Sequence, residues 1–356
     1  MPNDINVKTM KAANLYAPGD IRIEEVPIPT PLEGEVLIKV KACGVCGSDI
    51  PRLMETGTYR YPTIPGHEFS GEVFALGEAV KEFNIGDRVT VIPLIPCGNC
   101  EFCKVGEYQL CDHYNYLGSR TNGAYAEYVV APAANLLKLA DNVPFEAGAM
   151  TDPASVALHA VRKLGILPGD KVAVFGLGPI GLLALEWCTI MGAGHIVAID
   201  IFEEKLQLAR ELGADDCVNG KVDDPVEVIK DITKGKGVER AVEFAGNKIT
   251  QEQCIKSTGK LGCCVFGGIS HTDLPLSEKA VDGILRKELI IKGSWNSSFS
   301  PSFNDWERSL YFMANGKLRC QPLISHRLPL NKLPEAFKMM YERKEYFSKV
   351  MFLPEM

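Results

Sequence analysis

The sequence predicts an α/β protein of two domains, one with a doubly wound parallel sheet and one with antiparallel, barrel-like strands. Three observations lead to this prediction. The chain has 356 residues, which is longer than a single hydrophobic core usually grows. Before residue 130, short β-forming runs are separated by Gly and Pro. After residue 170, strand-like runs alternate with helix-period segments.

The antiparallel region extends from Arg22 to about Val130. Its β-forming runs include residues 35–40, 89–92 and 125–130. Because these runs are short and are punctuated by turn residues, they are typical of a barrel or sandwich.

The parallel region extends from Lys171 to Gly293, and residues 202–212 form one of its predicted helices. Its predicted strands are residues 171–175, 195–200, 240–244, 262–266 and 289–292. The remaining tail, with helical patterns at 306–313 and 334–341 and a further segment at 323–330, is too short to fold alone. We therefore expect residues 1–158 and 297–356 to form the catalytic domain and residues 159–296 the nucleotide-binding domain.

Charge and hydropathy exclude several classes of partner. The formal net charge is −7, and a nucleic-acid-binding protein would need a basic footprint. Residues 172–199 are almost wholly apolar, but Gly and Pro divide them into strand, helix and strand, which argues against a membrane span. The polar residues 1–9 lack an apolar signal segment. We expect a cytoplasmic protein that acts on a small molecule.

A glycine-rich turn follows the first strand of the parallel region. The first glycine permits a tight turn, the second lets the backbone approach a pyrophosphate, and the third lets the helix pack on the strand. The helix N-terminus then faces the phosphates with amide groups and a positive dipole end. The predicted cofactor contacts are Gly176, Gly178, Pro179, Ile180, Gly181 and Asp200.

Asp200 ends the second parallel strand, about 20 residues after the last glycine of the turn, where a ribose-binding acid is expected. The alternative is a chance acid at the end of a strand. A carboxylate there would repel the 2′-phosphate of NADP, and the following Ile201 and Phe202 offer no arginine to receive it. The sequence favours NAD.

Twelve cysteines are many for an intracellular chain, and they indicate metal binding or catalysis better than disulfides. Four of them crowd onto one Gly- and Asn-containing loop, and four thiolates with no open position describe a structural zinc site. The alternatives are an iron–sulfur cluster, which the spacing does not fit, and buried free thiols. The predicted structural ligands are Cys97, Cys100, Cys103 and Cys111.

Cys46 and His67 are candidate ligands of a second, catalytic zinc. With a carboxylate they would complete a site that keeps one position open for substrate. Cys43 and Cys46 could alternatively form a redox dithiol, but no thioredoxin-like pattern surrounds them, and His67 could be a core histidine. Such a zinc would polarise an alcohol and a nicotinamide would take its hydride. Ser48 is the candidate proton relay, and Asp49 could bind the other ring nitrogen of His67.

These motifs, in this order along nearly the whole chain, resemble the zinc-dependent medium-chain dehydrogenase/reductase family. The segment Gly66-His-Glu-Phe-Ser-Gly71 resembles its polyol (sorbitol) dehydrogenase branch. The resemblance implies a GroES-like catalytic domain, a Rossmann domain and a homodimer or homotetramer, with the strand at 289–292 pairing across a two-fold axis. It also implies two zinc ions per chain and the catalytic ligands Cys46, His67, Glu68 and the residue before Pro153. That residue is Asp152, whereas the polyol branch has Glu.

Shorter segments resemble family members that act on sugar-alcohol phosphates, which implies oxidation of galactitol 1-phosphate to tagatose 6-phosphate. Arg52 and Arg120 lie near the catalytic motifs and are candidates for binding the phosphate, although both could be ordinary surface arginines. Within the family, the alternative substrates are an unphosphorylated polyol, threonine or butanediol. An alternative of another class is a non-catalytic protein that senses NAD or uses zinc structurally.

Overall fold

The structure is a computed structural model that describes residues 8–356. Most of the polar N-terminal segment, on which the prediction of no signal sequence depends, lies outside the described residues. No helix among residues 8–356 is both long and apolar enough to cross a membrane.

Residues 8–164 contain nine strands and four α-helices. The strands are β1 (Thr9–Ala17), β2 (Asp20–Pro27), β3 (Glu35–Gly44), β4 (Glu68–Leu76), β5 (Arg88–Val91), β6 (Leu94–Ile95), β7 (Asn115–Tyr116), β8 (Tyr128–Pro132) and β9 (Leu136–Lys138). The helices are α1 (Asp49–Pro51), α2 (Glu101–Lys104), α3 (Phe145–Ala149) and α4 (Thr151–Leu164).

The middle of the chain alternates strand and helix. Its strands are β10 (Lys171–Phe175), β11 (His195–Asp200), β12 (Asp216–Asn219), β13 (Val238–Glu243), β14 (Thr258–Phe266) and β15 (Ile290–Gly293). Its helices are α5 (Pro179–Ile190), α6 (Glu203–Leu212), α7 (Pro225–Ile232), α8 (Lys248–Ser257) and α9 (Glu278–Arg286).

The tail contains β16 (Phe299–Ser300), β17 (Phe303–Asn304), α10 (Asp305–Ala314), β18 (Ile324–Leu328), α11 (Leu333–Glu342) and β19 (Lys349–Phe352). The chain divides into two compact units. The first comprises the described residues up to Asp152, together with Phe299–Ala314 and Ile324–Met356, and the second comprises Pro153–Ser298 and Asn315–Leu323. The boundaries therefore differ from the predicted 158/159 and 296/297, and the return of residues 315–323 to the second unit was not predicted.

The first unit is built on a seven-stranded sheet in the order β18-β19-β3-β4-β5-β9, with β8 also paired to β3. All neighbours are antiparallel except β18 and β19. Alternate side chains of β3 and β4, such as Val36, Ile38 and Val73, enter a core shared with β1, β8 and α11. The C-terminal tail thus completes the sheet on which β3 lies.

The second unit holds a six-stranded, wholly parallel sheet in the order β12-β11-β10-β13-β14-β15. Its central strands are buried on both faces: Val172 to Phe175 and Ile196 to Ile199 are at most 2% exposed. This explains their continuous apolar runs, because helices cover both sides of a parallel sheet. The strand order changes direction between β10 and β13, the place where open α/β sheets bind ligands.

Candidate metal centres and cofactor loop

The pairing of β3 with β4 brings Cys46 and His67 together. Gly44, the last residue of β3, pairs with Glu68, the first residue of β4. Cys46 lies just beyond the end of one strand and His67 just before the start of its antiparallel neighbour. One ligand atom each from Cys46, His67 and Glu68 lies within 4.8 Å of the others.

Asp152 approaches the same centre from the first turn of α4. Its Oδ2 lies 4.0 Å from Nε2 of His67. The carboxylate is 5% exposed, and burial raises the pKa of Asp152 to about 7. Its Oδ1 is buried without a hydrogen-bond partner among the described residues. A buried oxygen of this kind fits a cation that the chain itself does not supply.

Asp49 is the predicted partner of the other ring nitrogen of His67. Its Oδ2 lies 3.3 Å from His67 Nδ1, and its Oδ1 accepts a 2.7 Å hydrogen bond from Arg52. Burial lowers the pKa of His67, but the negative charges of Asp49 and Cys46 outweigh it and raise that pKa to about 10. A carboxylate is the usual partner of the ring nitrogen of a metal-binding histidine that does not face the metal.

Ser48, the candidate proton relay, lies beside the predicted ligand Cys46. Its Oγ is 3.1 Å from Cys46 Sγ, and the serine is partly exposed. The hydroxyl can therefore exchange protons both with the centre and with water.

The two arginines that were candidates for binding a substrate phosphate have different surroundings in the structure. Arg52 is paired with the buried Asp49. The guanidinium of Arg120 lies between two aromatic rings, 4.5 Å from that of Tyr59 and 4.4 Å from that of Tyr114. Arg120 has no carboxylate partner among residues 8–356 at ion-pair distance, and its Nε is buried without a hydrogen bond.

A row of aromatic rings connects Arg120 to the candidate metal centre. Tyr114 contacts Tyr116 edge to face at 6.2 Å, and Tyr116 contacts the ring of His67 in the same way at 5.4 Å. Sequence reasoning missed these tyrosines, because their alternation in Tyr114-Asn-Tyr116 also suits an ordinary strand.

The four-cysteine loop forms a second centre, separate from Cys46. One atom from each thiol lies within 4.8 Å of the others, and the sulfurs of Cys97 and Cys103 are 4.0 Å apart. Backbone amides donate to the thiols, with Cys97 N bonding Cys111 Sγ at 3.3 Å. Amides of Cys103 and Asp112 lower the pKa of Cys100 to about 6. Thiolate-stabilising amides and four converging sulfurs fit a closed zinc site.

The glycine turn has the geometry that its sequence predicts. Gly176 has φ +88°, and a side chain there would collide with the backbone of Ala245. A Cβ on Gly181 would lie 1.8 Å from the carbonyl oxygen of Gly176, whereas one on Gly178 would meet nothing within 4 Å. Pro179 and Ile180 open α5. The turn therefore packs tightly at its ends and stays open at Gly178, where a phosphate would approach.

Asp200, the last residue of β11, contacts the glycine turn. Its Oδ2 accepts a 2.7 Å hydrogen bond from Leu177 N, inside the glycine turn. Two lysines that sequence reasoning did not consider, Lys205 and Lys221, each place Nζ 5.0 Å from the ring centre of Phe202, two residues after Asp200. Lys205 Nζ is also 3.6 Å from Asp200 Oδ2. The ammonium group of Lys205 is thus directed at the carboxylate of Asp200.

A cavity of about 880 Å³ lies elsewhere in the first unit and is lined by Tyr108, Phe299, Phe303 and Tyr311 among others. None of its lining residues is a candidate metal or cofactor contact. Size alone does not make it a substrate site, because the converging titratable groups lie at the centre around His67.

Comparison with known proteins identifies the class to which this fold and these centres belong. Residues 32–141 match the alcohol dehydrogenase GroES-like domain, and residues 179–315 match the zinc-binding dehydrogenase domain. The chain belongs to the zinc-binding alcohol dehydrogenase family. It is an oxidoreductase of the zinc-type alcohol and polyol dehydrogenases, which act on small molecules. The predicted family, fold class and enzymatic nature are confirmed, and so is the use of zinc and a nicotinamide cofactor.

Several relatives cover nearly the whole chain. Galactitol 1-phosphate 5-dehydrogenase of Escherichia coli K12 is 34% identical over 97% of this chain and 100% of its own. The crystal structure of the E. coli enzyme superposes with a TM-score of 0.90, covering 97% and 100% of the two chains. Sorbitol dehydrogenase of Bacillus subtilis is 33% identical over 98% of both chains. A zinc-binding dehydrogenase of Sinorhizobium meliloti 1021, bound to NADP, is 30% identical, with a TM-score of 0.89 over 97% and 99% of the chains.

Proposed function

We propose that this dehydrogenase reversibly oxidises a secondary hydroxyl of a phosphorylated sugar alcohol with NAD, converting galactitol 1-phosphate into tagatose 6-phosphate. The single observation that supports a phosphorylated substrate is the environment of Arg120. This cation has no carboxylate partner among the described residues and lies at the end of an aromatic row leading to His67. An arginine held flat between rings presents its remaining N–H groups in the fork that phosphate accepts. The resemblance to galactitol 1-phosphate 5-dehydrogenase supports the same substrate.

In this proposal Cys46, His67 and a carboxylate from Glu68 or Asp152 bind the catalytic zinc. The chemistry that zinc supplies is Lewis-acid polarisation of the substrate hydroxyl, and NAD supplies a hydride acceptor. Ser48 receives the hydroxyl proton and passes it to solvent. Asp49 orients the His67 ring and is itself fixed by Arg52. Arg52 therefore supports the metal centre through Asp49, and Arg120 binds the phosphate.

The second zinc has a structural role and is bound by the four-cysteine loop, through Cys97, Cys100, Cys103 and Cys111. NAD occupies the turn formed by Gly176, Gly178, Pro179, Ile180 and Gly181, with Asp200 at its ribose.

Replacing Arg120 by alanine tests the substrate. We expect kcat/KM for galactitol 1-phosphate to fall about 10- to 100-fold, since a hydrogen bond between charged groups contributes about 1.5–3 kcal/mol. Turnover of galactitol should stay within about twofold. The control is Arg22→Ala, which removes the same charge from the exposed pair with Asp20. An Arg120→Ala enzyme that still discriminated between the phosphorylated and the free polyol would refute the assignment.

Replacing Asp200 by asparagine tests the coenzyme, because it removes the charge while retaining an acceptor for Leu177 N. We expect the ratio of kcat/KM for NAD to that for NADP to fall by at least about tenfold, since like charges placed together cost several kcal/mol. Asp216→Asn, at the far end of the neighbouring strand β12, is the matched control. Initial rates with each coenzyme measure the ratio, and an unchanged ratio would contradict the role of Asp200.

We also propose that the chain forms a homodimer or homotetramer through β15. This strand is the outer edge of the parallel sheet, and all four of its residues are exposed. Leu285 and Trp295 nearby are 71% and 53% exposed, and an unpaired apolar edge favours pairing with a second copy. Light scattering that returned the single-chain mass of 39.0 kDa would count against this assembly.

A further inference from the structure

We propose that Glu243, a buried carboxylate at the end of β13, sets the preference of the cofactor site for the oxidised form, NAD⁺, over NADH. Its negative charge stabilises the cationic nicotinamide ring of NAD⁺. This inference rests on the proposed function, because it takes the placement of NAD on the glycine turn as given. It adds a residue that distinguishes the two redox states of that cofactor.

Glu243 is a fully buried acid without a counter-cation. The residue is 0% exposed, and its Oε1 accepts hydrogen bonds from Gly246 N at 2.9 Å and from Thr250 Oγ1 at 2.8 Å. Its Oε2 is buried without a hydrogen-bond partner among the described residues. No lysine, arginine or histidine of residues 8–356 forms an ion pair with it. Its charge is therefore not cancelled by a neighbouring side chain.

The turn after β13 is arranged to hold this carboxylate in its charged form. Both donors, Gly246 and Thr250, lie at the N-terminal end of α8, where the helix dipole favours an anion. Burial raises the pKa of Glu243, and the hydrogen bonds from Thr250 and from the backbone amides of the turn oppose this rise. The ionised form is therefore the one expected at about pH 8, far above the usual range of a glutamate.

The sheet topology assigns Glu243 to the half of the sheet that receives the nicotinamide. The order β12-β11-β10-β13-β14-β15 is that of two mononucleotide-binding halves, which hold a dinucleotide across the point where the order reverses. The glycine turn follows β10 and Asp200 ends β11, so the adenosine and the pyrophosphate belong to the first half. The nicotinamide belongs to the second half, which begins with β13 and its last residue, Glu243.

Backbone contacts join the end of β13 to the loops on either side. A Cβ on Gly176, in the glycine turn, would lie 2.6 Å from the backbone nitrogen of Ala245, two residues after Glu243. On the other side, the carbonyl oxygen of Glu243 accepts hydrogen bonds from Gly267 N at 2.9 Å and Gly268 N at 3.0 Å. Glu243 thus lies between the turn proposed to hold the pyrophosphate and the loop that follows β14.

A fixed negative charge in this place acts differently on the two forms of the cofactor. The nicotinamide ring carries one positive charge in NAD⁺ and none in NADH. A carboxylate therefore lowers the free energy of the bound oxidised ring and leaves the neutral ring almost unaffected. Inside a protein this attraction extends beyond contact distance, because the effective dielectric constant is lower than that of water. The site then retains NAD⁺ and releases NADH more readily.

A purely structural role for Glu243 makes a different prediction. An acid that only ties the turn after β13 to the start of α8 would change the affinities for NAD⁺ and NADH by the same factor. The ratio of the two dissociation constants therefore separates the effect of the charge from that of the hydrogen bonds.

Equilibrium binding of NAD⁺ and NADH to the zinc-replete, full-length protein at about pH 8 tests the proposal. Glu243→Gln removes the charge and keeps an acceptor for Gly246 N and Thr250 Oγ1. We expect Kd for NAD⁺ divided by Kd for NADH to rise about 5- to 30-fold, as for one charge acting over about 8–15 Å at an effective dielectric constant of about 20. ADP-ribose, which lacks the nicotinamide, should bind the variant and the wild type equally.

The matched control is Glu239→Gln, near the opposite end of the same strand. The Glu239 carboxylate is half-buried and accepts a hydrogen bond from Lys171 N. Because it lies at the edge of the sheet away from the cofactor crevice, the ratio should stay within about twofold of the wild type.

Dissociation constants for NAD⁺, NADH and ADP-ribose that rise by one common factor in Glu243→Gln would show a structural role and overturn the proposal. An unchanged ratio would do the same. If Glu243→Gln fails to fold, Glu243→Asp still decides, because it retains the charge: its ratio should match the wild type, and a shift of fivefold or more would refute the electrostatic role. A wild-type protein that bound neither form of NAD would refute the cofactor site of the proposed function itself.

Discussion

Replacing Cys46 by alanine is expected to lower kcat/KM for alcohol oxidation by at least about 10³-fold. Cys46 supplies the thiolate of the proposed catalytic centre, and metal stabilisation of developing charge contributes several kcal/mol, where each 1.36 kcal/mol is about tenfold in rate. Zinc content should fall from two ions per chain to one. Initial rates of NAD reduction and elemental analysis of the same preparation measure both effects.

The matched control is Cys43→Ala, three residues earlier, near the end of strand β3. Cys43 is fully buried in the core of the first unit, and burial keeps its pKa well above that of an exposed thiol. This variant should lose some stability but keep both zinc ions. If Cys43→Ala lost the catalytic zinc and Cys46→Ala kept it, the two cysteines would have to exchange roles.

Replacing Cys100 by serine is expected to remove the other zinc and to destabilise the protein. Structural zinc contributes directly to the free energy of folding, and the loss of a metal is among the few single changes that cost more than about 4 kcal/mol. For a unit of this size that corresponds to a fall in Tm of about 10 °C. The catalytic zinc and the substrate preference at low temperature should be retained.

Scanning calorimetry and elemental analysis check this prediction together. Cys217→Ser is the control, since Cys217 is a half-buried thiol in the second unit that lies outside both cysteine groups and donates to the backbone carbonyl of Leu206. A Cys100→Ser protein with two zinc ions and an unchanged Tm would show that the loop does not bind metal.

The sequence predicted the parts of the fold that depend on local pattern. Strands β10 and β11 have the predicted bounds, because each is a continuous apolar run closed by Gly or Asp. Strand β12 was not predicted. It contains Asp216 and Asn219, which disfavour strands, and it forms because β11 offers it a free edge. The return of residues 315–323 to the second unit depends on tertiary contacts that no local pattern records.

The same distinction holds at the candidate site. Cys46, Ser48 and His67 lie in two short motifs, so residue type and spacing suggested their chemistry, and the family resemblance added Glu68. Lys349, which forms a buried ion pair with Glu68, lies 281 residues from it, and a lysine is expected at the surface. The one available signal was its position at the start of the apolar run Val350-Met-Phe352. Arg52 and Arg120 were equivalent in the sequence, and only the contacts with Asp49 and the tyrosines separate them.

The most direct test is NAD reduction by the zinc-replete enzyme with galactitol 1-phosphate, sorbitol, threonine and butanediol in parallel. The proposed function predicts the highest kcat/KM for galactitol 1-phosphate, by at least about tenfold if Arg120 contributes one charged hydrogen bond. An equal or higher kcat/KM for any of the three unphosphorylated compounds would contradict it.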